Sequence, residues 1–129
     1  MIQYLDPSVA LRGILAGPDQ PKVLAWLKAQ PPGSVVSSRL LRTEIVHVLR
    51  RDSLPLQDAD PVLHRVRLIS LSDRIATLAE SITPHLKSLD ALHLGTVLEI
   101  GEPLTVVTHD ANLENVAQLL GFQTFDPCL

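Results

Sequence analysis

Cysteine is almost absent from this sequence, and Cys128 is the single one. One cysteine cannot form an internal disulfide, and it cannot supply the several thiolates of a structural zinc site. Aromatic residues are also scarce, at 3% of the 129 residues. This scarcity disfavours a protein that binds nucleic acid by stacking bases on aromatic side chains. Disulfide-stapled and multi-cysteine zinc domains are therefore excluded.

The sequence also lacks an excess of positive charge. Its 11 Lys and Arg residues stand against 14 Asp and Glu residues, so the formal net charge is −3 with neutral histidines. This balance disfavours a protein that binds nucleic acid through overall basic charge. No apolar run reaches the ~18 residues of a membrane span, and no secretory signal is visible. We therefore expect a cytoplasmic protein that makes no contact with the membrane.

Apolar residues, by contrast, are abundant at 46% and are distributed over many short segments. This content excludes a disordered chain, and we expect residues 1–129 to form a single domain. The patterns predict strands at 2–5, 34–37, 68–71, 104–108 and 122–125. They predict helices at 8–15, 21–29, 38–51, 73–80, 89–100 and 110–120, with Asp19 and Ser38 as caps. A further helix should carry Val62, Leu63 and Val66 and be capped by Asp58 or Asp60.

Strands and helices alternate along the whole chain. This alternation predicts an α/β protein with a mainly parallel sheet of about five strands, covered by helices on both faces. In such sheets, functional sites gather at the carboxyl ends of the strands. The candidate functional residues are therefore those that follow each strand.

Four carboxylates lie where such a site would form. Asp6 and Asp110 follow predicted strands, Asp90 begins a helix that is apolar nearly all round, and Glu44 lies beside the apolar stripe of its helix. Taken singly, the aspartates could be helix caps and Glu44 could pair with Arg42. Taken together at one rim, they would repel one another unless a divalent cation bound there. Mg²⁺ or Mn²⁺ is favoured over zinc, because none of the four groups is a thiolate.

Four segments around these carboxylates resemble motifs of the PIN-domain ribonucleases, and in particular of their VapC toxin branch. The segment Tyr4-Leu5-Asp6-Pro7-Ser8 resembles the opening Asp-x-Ser motif, and Arg42-Thr43-Glu44-Ile45 resembles the start of the Glu-bearing helix. The segment Leu89-Asp90-Ala91-Leu92-His93-Leu94 resembles the third motif, and Val106 to Leu113 resembles the last acidic motif. Pro7 and His109 depart from the residues that are usual in the family.

The resemblance implies a three-layer α/β/α PIN-like domain that is a Mg²⁺-dependent endoribonuclease toxin, with Mn²⁺ as an alternative cofactor. RNA would be the substrate and a VapB-type antitoxin the partner, and we expect a homodimer. Asp6 and Asp90 would be the main metal ligands, and Asp110 would ligate directly or through water. Glu44 would hold a water molecule or act as the general base.

Other residues receive supporting roles in this hypothesis. Ser8 and Thr108 are candidates for orienting the carboxylates through hydrogen bonds, although a helix cap and a solvated strand end are equally ordinary interpretations. Arg39, Arg42 and Arg50 fall on one face of their helix and could contact RNA, although such faces are often simply solvated. His93 is interpreted as a packed residue or a partner of a carboxylate rather than a metal ligand.

Three rival functions remain open at this stage. A receiver-like signalling domain also places acids at strand ends, but it would need a lysine after the late strand, where Thr108-His109-Asp110 stands. A phosphatase of the Asp-x-Asp type would need a second aspartate at Ser8. A catalytically silent PIN-like binding module would keep the fold and act by association alone.

Overall fold

The computed structural model describes the whole chain, from Met1 to Leu129. Its strands are β1 (Ile2–Leu5), β2 (Val35–Ser38), β3 (Arg67–Ile69), β4 (Leu104–Val107) and β5 (Gln123–Phe125). Its helices are α1 (Pro7–Ile14), α2 (Gln20–Ala29), α3 (Leu40–Arg51), α4 (Asp60–Leu63), α5 (Asp73–Glu80), α6 (Ser88–Ile100) and α7 (Ala111–Leu119). A 3₁₀ turn at Leu56–Ala59 leads into α4.

The five strands form one sheet in the order β3-β2-β1-β4-β5, and every neighbouring pair is parallel. The strand β1 lies in the centre, where Tyr4 is in register with Val36 on one side and Val106 on the other. The prediction of a parallel α/β sheet of five strands is confirmed. All five strands therefore end at the same rim.

The two faces of the sheet carry separate apolar cores, because successive residues of a strand point to opposite faces. Leu5 lies in the core that covers one face together with helices α1 to α4, and Tyr4 lies in the core on the other face. This second core includes Leu94 of α6 and Leu113 of α7. The three-layer arrangement is confirmed, and no helix has the length and apolar content needed to span a bilayer.

Helix α5 approaches α6 very closely at a glycine. A Cβ atom built on Gly95 would lie 2.7 Å from the carbonyl oxygen of Ile75 and 3.0 Å from the backbone nitrogen of Ala79. Real Cβ atoms are not found so near backbone atoms, so only glycine fits without a shift of α5. This contact fixes how α5 lies against the helix that carries Asp90.

The prediction for residues 58–66 is partly wrong. Helix α4 ends at Leu63, and Val66 lies beyond it as a half-buried residue packed against the first core. Neither Asp58 nor Asp60 caps the helix with its side chain, because the chain enters α4 directly from the 3₁₀ turn. A four-residue helix has too few turns for the apolar spacing to mark its end.

Two other predicted caps also differ from the structure. Asp19 precedes α2 but makes no capping hydrogen bond, because its carboxylate instead pairs with Arg12 at 2.8 Å. Ser38 belongs to β2, although its Oγ accepts the Leu40 N–H at 3.1 Å at the start of α3. The third strand begins one residue earlier than predicted and ends at Ile69. These differences leave the order of the elements unchanged.

Candidate active site at the carboxyl ends of the strands

Asp6 lies at the centre of the rim, directly after β1. It is the N-cap of α1, and its Oδ2 accepts three hydrogen bonds, from the Ser8 N–H at 3.1 Å, the Ser8 hydroxyl at 2.6 Å and the Thr108 hydroxyl at 3.1 Å. The carboxylate is therefore held rigidly, with one oxygen fully engaged. The cap interpretation is correct for this residue, but it accounts for only one of the two oxygens.

The other oxygen of Asp6 has no partner. Asp6 is only 3% exposed, and its Oδ1 is buried without any hydrogen bond. Burial raises the pKa of this carboxyl group, while the hydrogen bonds from Ser8 work in the opposite direction. An orphaned carboxylate oxygen is costly unless a cation or a donor meets it. Asp6 thus presents an acceptor to whatever the rim binds.

His109 and Asp110 are linked to Asp6 through the hydroxyl groups of Ser8 and Thr108. The Thr108 oxygen accepts the Asp110 N–H at 3.1 Å, and the Ser8 oxygen accepts the His109 N–H at 2.9 Å. Thr108 is buried, so it is not the solvated strand end that its sequence position allowed. The Oδ1 of Asp110 caps α7. The two hydroxyls therefore link the ends of β1 and β4.

Asp90 lies in the first turn of α6, because the helix begins at Ser88, one residue before the predicted start. It does not cap the helix, since the N-cap position belongs to Lys87. The pKa of Asp90 is raised first by burial and then by the negative charges of Asp6, Asp110 and Glu44. The other three carboxylates therefore lie near enough to Asp90 for their charges to act on it, and the four are called the acidic cluster below.

Glu44 is held by a buried histidine of α6. Its Oε1 lies 2.7 Å from His93 Nε2, and His93 Nδ1 lies 2.7 Å from the Tyr4 hydroxyl. His93 and Tyr4 have no exposed surface. The anticipated pair of Glu44 and Arg42 does not form, because the carboxylate turns towards the rim and Arg42 remains exposed on the helix. Of the two interpretations of His93, a packed residue or a partner of a carboxylate, the structure supports the second.

The fit of a divalent cation can be judged from the donors themselves. The cluster offers carboxylate oxygens from four residues, one of them a buried oxygen without a partner. Hard divalent cations prefer oxygen ligands, and a cation would relieve the repulsion that raises the pKa of Asp90. The carboxylates do not converge on one point, because no three of them bring oxygens within 4.8 Å of one another. Because Mg²⁺ is usually held by one or two carboxylates and keeps several water ligands, this set of oxygen donors still fits such an ion.

A second group of metal-binding residue types lies beside this rim. His109, Asp126 and Cys128 each place one donor atom within 4.8 Å of the others. His109 Nδ1 is 2.6 Å from Asp126 Oδ2, and Asp126 Oδ1 accepts the Cys128 N–H at 2.8 Å. Both oxygens of Asp126 are thus satisfied without an ion, and they tie the end of the chain to the rim. Burial and the Asp126 charge raise the pKa of the Cys128 thiol, which disfavours its reactive thiolate form.

The three arginines of the α3 region form no ion pair. Arg39, Arg42 and Arg50 are exposed, and the Arg39 guanidinium makes only a 3.4 Å contact with the Thr43 hydroxyl. With a rise of ~1.5 Å per residue, Arg39 and Arg50 lie roughly 16 Å apart along the helix, with Glu44 between them. The helix that presents Glu44 therefore also carries free positive charge.

Tyr4 and Asp126 make hydrogen bonds in the candidate site, and neither residue was singled out from the sequence. A signal for Tyr4 existed, since a buried tyrosine hydroxyl needs a partner. Residues two apart in a strand point to the same face of the sheet, so Tyr4 and Asp6 share a face. Residues three apart in a helix lie on the same face of the helix, so His93 and Asp90 also share a face. No comparable signal pointed to Asp126, which meets His109 only because β4 and β5 are neighbours.

Comparisons with known proteins agree with a parallel α/β domain of this kind and identify its family. The family model for the PIN domain matches residues 4–119. Ribonuclease VapC47 of Mycobacterium tuberculosis is 32% identical over 96% of both chains. Ribonuclease VapC46 of the same species is 28% identical, again over 96% of both chains. The chain therefore belongs to the PIN domain family, in its VapC branch.

Solved structures agree at the level of the fold. A chain from a toxin–antitoxin complex of Klebsiella pneumoniae superposes with a TM-score of 0.74 at 17% identity, over 97% of both chains. A chain of FitAB bound to an IR36 DNA fragment superposes with a TM-score of 0.66 at 16% identity, over 99% of this chain and 96% of the other. At such low identity these similarities support the three-layer fold.

Proposed function

We propose that this chain is a divalent-metal-dependent endoribonuclease that acts as the toxin of a type II toxin–antitoxin pair. Mg²⁺ is the proposed cofactor, with Mn²⁺ as a substitute, and a VapB-type antitoxin is the proposed partner. The single observation that carries the proposal is the buried, unpartnered Oδ1 of Asp6 beside three other carboxylates. The VapC ribonucleases to which the chain is similar and the toxin–antitoxin complex that shares its fold support it.

The four carboxylates would divide the work at the rim. Asp6 and Asp90 would hold the cation, Asp110 would assist directly or through water, and Glu44 would orient or deprotonate the attacking water. Ser8 and Thr108 would keep Asp6 in place through their hydrogen bonds to its Oδ2. The chemistry that a divalent cation supplies at such a site is polarisation of a phosphate and a lower pKa for water.

The net charge of −3 is compatible with an RNA substrate, provided that local charge attracts the phosphates. Arg39, Arg42 and Arg50 would supply that charge, because they are exposed and none of them is paired with a carboxylate. Their positions along α3 would place the RNA backbone across the acidic cluster. We expect their removal to raise the KM for RNA more than it lowers kcat.

The assay that tests the function uses the purified full-length chain and a single-stranded or looped RNA. Cleavage should need Mg²⁺, stop with EDTA and return when Mn²⁺ is added. Asp6→Asn and Asp90→Asn should each lower the rate by at least about 10²-fold, which is the scale of losing a group that stabilises the transition state. Asp58→Asn, at an exposed aspartate away from the rim, is the control.

Two results would contradict the proposal. Full activity of Asp90→Asn would show that this carboxylate is not needed for cleavage. Binding of Mg²⁺ by calorimetry without cleavage of any RNA would favour a catalytically silent binding module. The toxin role has its own test, since expression without a partner should arrest growth and expression of Asp90→Asn should not. Light scattering of the purified chain tests the proposed homodimer.

A further inference from the structure

A continuous chain of hydrogen bonds runs beneath the acidic cluster and ends on Glu44. The Ser38 N–H donates to the Tyr4 hydroxyl oxygen at 3.1 Å, the Tyr4 hydroxyl lies 2.7 Å from His93 Nδ1, and His93 Nε2 lies 2.7 Å from Glu44 Oε1. These residues come from β2, β1, α6 and α3. The chain of bonds, called the relay below, therefore connects two central strands to the two helices that carry Asp90 and Glu44.

Packing alone does not explain the polar groups in this relay. Tyr4 and His93 are fully buried, and Tyr4 belongs to a core made of Val, Leu and Ala side chains. A hydroxyl and an imidazole in such a place cost free energy unless every polar atom has a partner. Here the Tyr4 hydroxyl and both ring nitrogens of His93 are paired, and the relay ends on a carboxylate that is only 23% exposed. Two buried polar side chains, those of Tyr4 and His93, thus hold one carboxylate in place.

The direction of the hydrogen bonds follows from the donors and acceptors. A carboxylate can only accept, so His93 Nε2 carries the proton that faces Glu44. With that proton on Nε2, the Nδ1 atom can accept the hydroxyl proton of Tyr4. The Tyr4 oxygen in turn accepts the Ser38 N–H. The Tyr4 hydroxyl is therefore placed to favour the tautomer of His93 that donates to Glu44.

We propose that Tyr4 and His93 are positioning residues that fix the Glu44 carboxylate for RNA cleavage. The inference rests on the proposed function, since it assigns to Glu44 a part in the cleavage step. His93 occupies Oε1 of Glu44, which leaves Oε2 without a protein partner at the rim. Without the relay, Glu44 would be free to rotate among several side-chain conformers and would meet the water less often in the productive geometry.

The kinetic experiment removes one contact of the relay at a time. Tyr4→Phe deletes only the hydroxyl, and we expect it to lower kcat for RNA cleavage by about 10–100-fold with little change in KM. His93→Asn and His93→Gln have similar sizes but place the amide nitrogen at different points. The glutamine amide can reach the place of Nε2 and donate to Glu44, whereas the shorter asparagine amide stays near Nδ1. We therefore expect His93→Gln to recover most of the activity that His93→Asn loses.

The control for this series is His47→Ala, which removes an exposed histidine one turn from Glu44 on the same helix. Its kinetics should match the unaltered protein. Circular dichroism and thermal unfolding of each variant should show folded protein at the assay temperature. Should Tyr4→Phe fail to fold, the comparison of His93→Gln with His93→Asn still decides the question, because a purely structural role of His93 predicts equal losses.

A second measurement does not depend on activity. The ring nitrogens of His93, observed by ¹⁵N NMR of the full-length protein, should show a proton on Nε2 and a hydrogen-bond acceptor at Nδ1. Tyr4→Phe should shift the Nδ1 resonance towards that of a nitrogen without a hydrogen bond. A proton on Nδ1 with a bare Nε2 would overturn the proposal whatever the kinetics show.

The failure of this inference can be separated from the failure of the proposed function. If the unaltered protein cleaves RNA and Tyr4→Phe and His93→Asn both keep full kcat, the relay is wrong and the nuclease stands. If the unaltered protein cleaves no RNA, the nuclease fails, and with it the role of the relay in cleavage. The NMR result then still decides whether Tyr4 sets the tautomer of His93.

Discussion

At the scale of single residues, Asp6 uses its two oxygens for different purposes. Its Oδ2 is held by two hydroxyls and a backbone N–H, and its Oδ1 is buried and free. The hydrogen bonds to Oδ2 hold the side chain in one orientation, and Oδ1 remains able to accept a ligand. This division explains how a helix-capping aspartate can also belong to a binding site, since the cap occupies only half of the carboxylate.

Loss of the Ser8 hydroxyl should therefore weaken metal binding. Ser8→Ala removes the 2.6 Å hydrogen bond to Asp6, and we expect the Kd for Mn²⁺ to rise by about 10–100-fold, as for other residues that orient metal ligands. Isothermal titration calorimetry measures this change directly. Ser81→Ala, which removes an exposed hydroxyl bonded only to a carbonyl of α5, is the matched control. An unchanged Kd would show that the Ser8 hydroxyl has no part in presenting Asp6 to the metal.

Asp90 should be a source of instability when no metal is bound. Burial and then the charges of three neighbouring carboxylates raise its pKa, so its charged form is disfavoured in the folded protein. We expect Asp90→Asn to raise the free energy of unfolding in EDTA by about 0.5–2 kcal/mol, the range typical of stabilising substitutions. Urea denaturation at neutral pH measures it. Asp58→Asn should leave stability nearly unchanged, and a destabilised Asp90→Asn would contradict the repulsion.

At the scale of elements, the contact of α5 with α6 determines how the Asp90 helix is supported. The two helices approach at Gly95, where a Cβ would meet the backbone of α5. Helix α6 in turn provides Asp90 to the rim and His93 to Glu44. A shift of α5 would therefore change the positions of Asp90 and His93 in the candidate site as well as the packing of the core.

Gly95→Ala should destabilise the protein for this reason. The added methyl group would lie 2.7 Å from the Ile75 carbonyl oxygen, and we expect a loss of about 1–3 kcal/mol, the range for overpacked cores. Chemical denaturation gives the value. Gly17→Ala is the control, because a Cβ atom at this position, in the loop before α2, would have nothing within 4 Å. Equal stability of the two variants would mean that α5 moves freely.

At the scale of the whole molecule, the acidic cluster makes stability depend on pH and metal together. The pKa values of Asp6 and Asp90 lie above their ordinary value of 3.8 in the folded chain. The folded protein therefore keeps protons that the unfolded chain releases from about pH 4 upward. In the absence of metal, the contribution of these groups to stability is greatest below that pH and is lost as the pH rises through the folded pKa values.

Thermal unfolding from acidic to neutral pH tests this linkage. In EDTA, we expect the Tm of the unaltered protein to fall with rising pH more steeply than that of a variant combining Asp6→Asn and Asp90→Asn. Added Mg²⁺ should raise the Tm of the unaltered protein at neutral pH, because only the folded state holds the cluster together. The same dependence of Tm on pH in the two proteins would show that the pKa values of Asp6 and Asp90 are not raised in the folded chain.

The elements that were predicted well from the sequence are those whose signals are local. The strand β4 and the helices α1, α3, α5 and α7 follow from apolar spacing, β-branched runs and breaking residues. The prediction was partly wrong for α4, where only four residues are helical, and it differs by one residue at the start of α6 and at both ends of α1. Short elements and helix ends depend on the neighbouring structure more than on local propensity, so they are the least predictable.

Two features of this protein are already fixed by local patterns in the chain, namely the alternation of strands and helices and the placement of carboxylates after strands. Three others arise only on folding: Asp6 keeps one oxygen free, His93 faces Glu44, and Asp126 meets His109. These contacts join residues between 17 and 102 positions apart. Which side chains meet over such separations depends on strand order and on the close approach of packed helices, and no nearest-neighbour pattern carries that information.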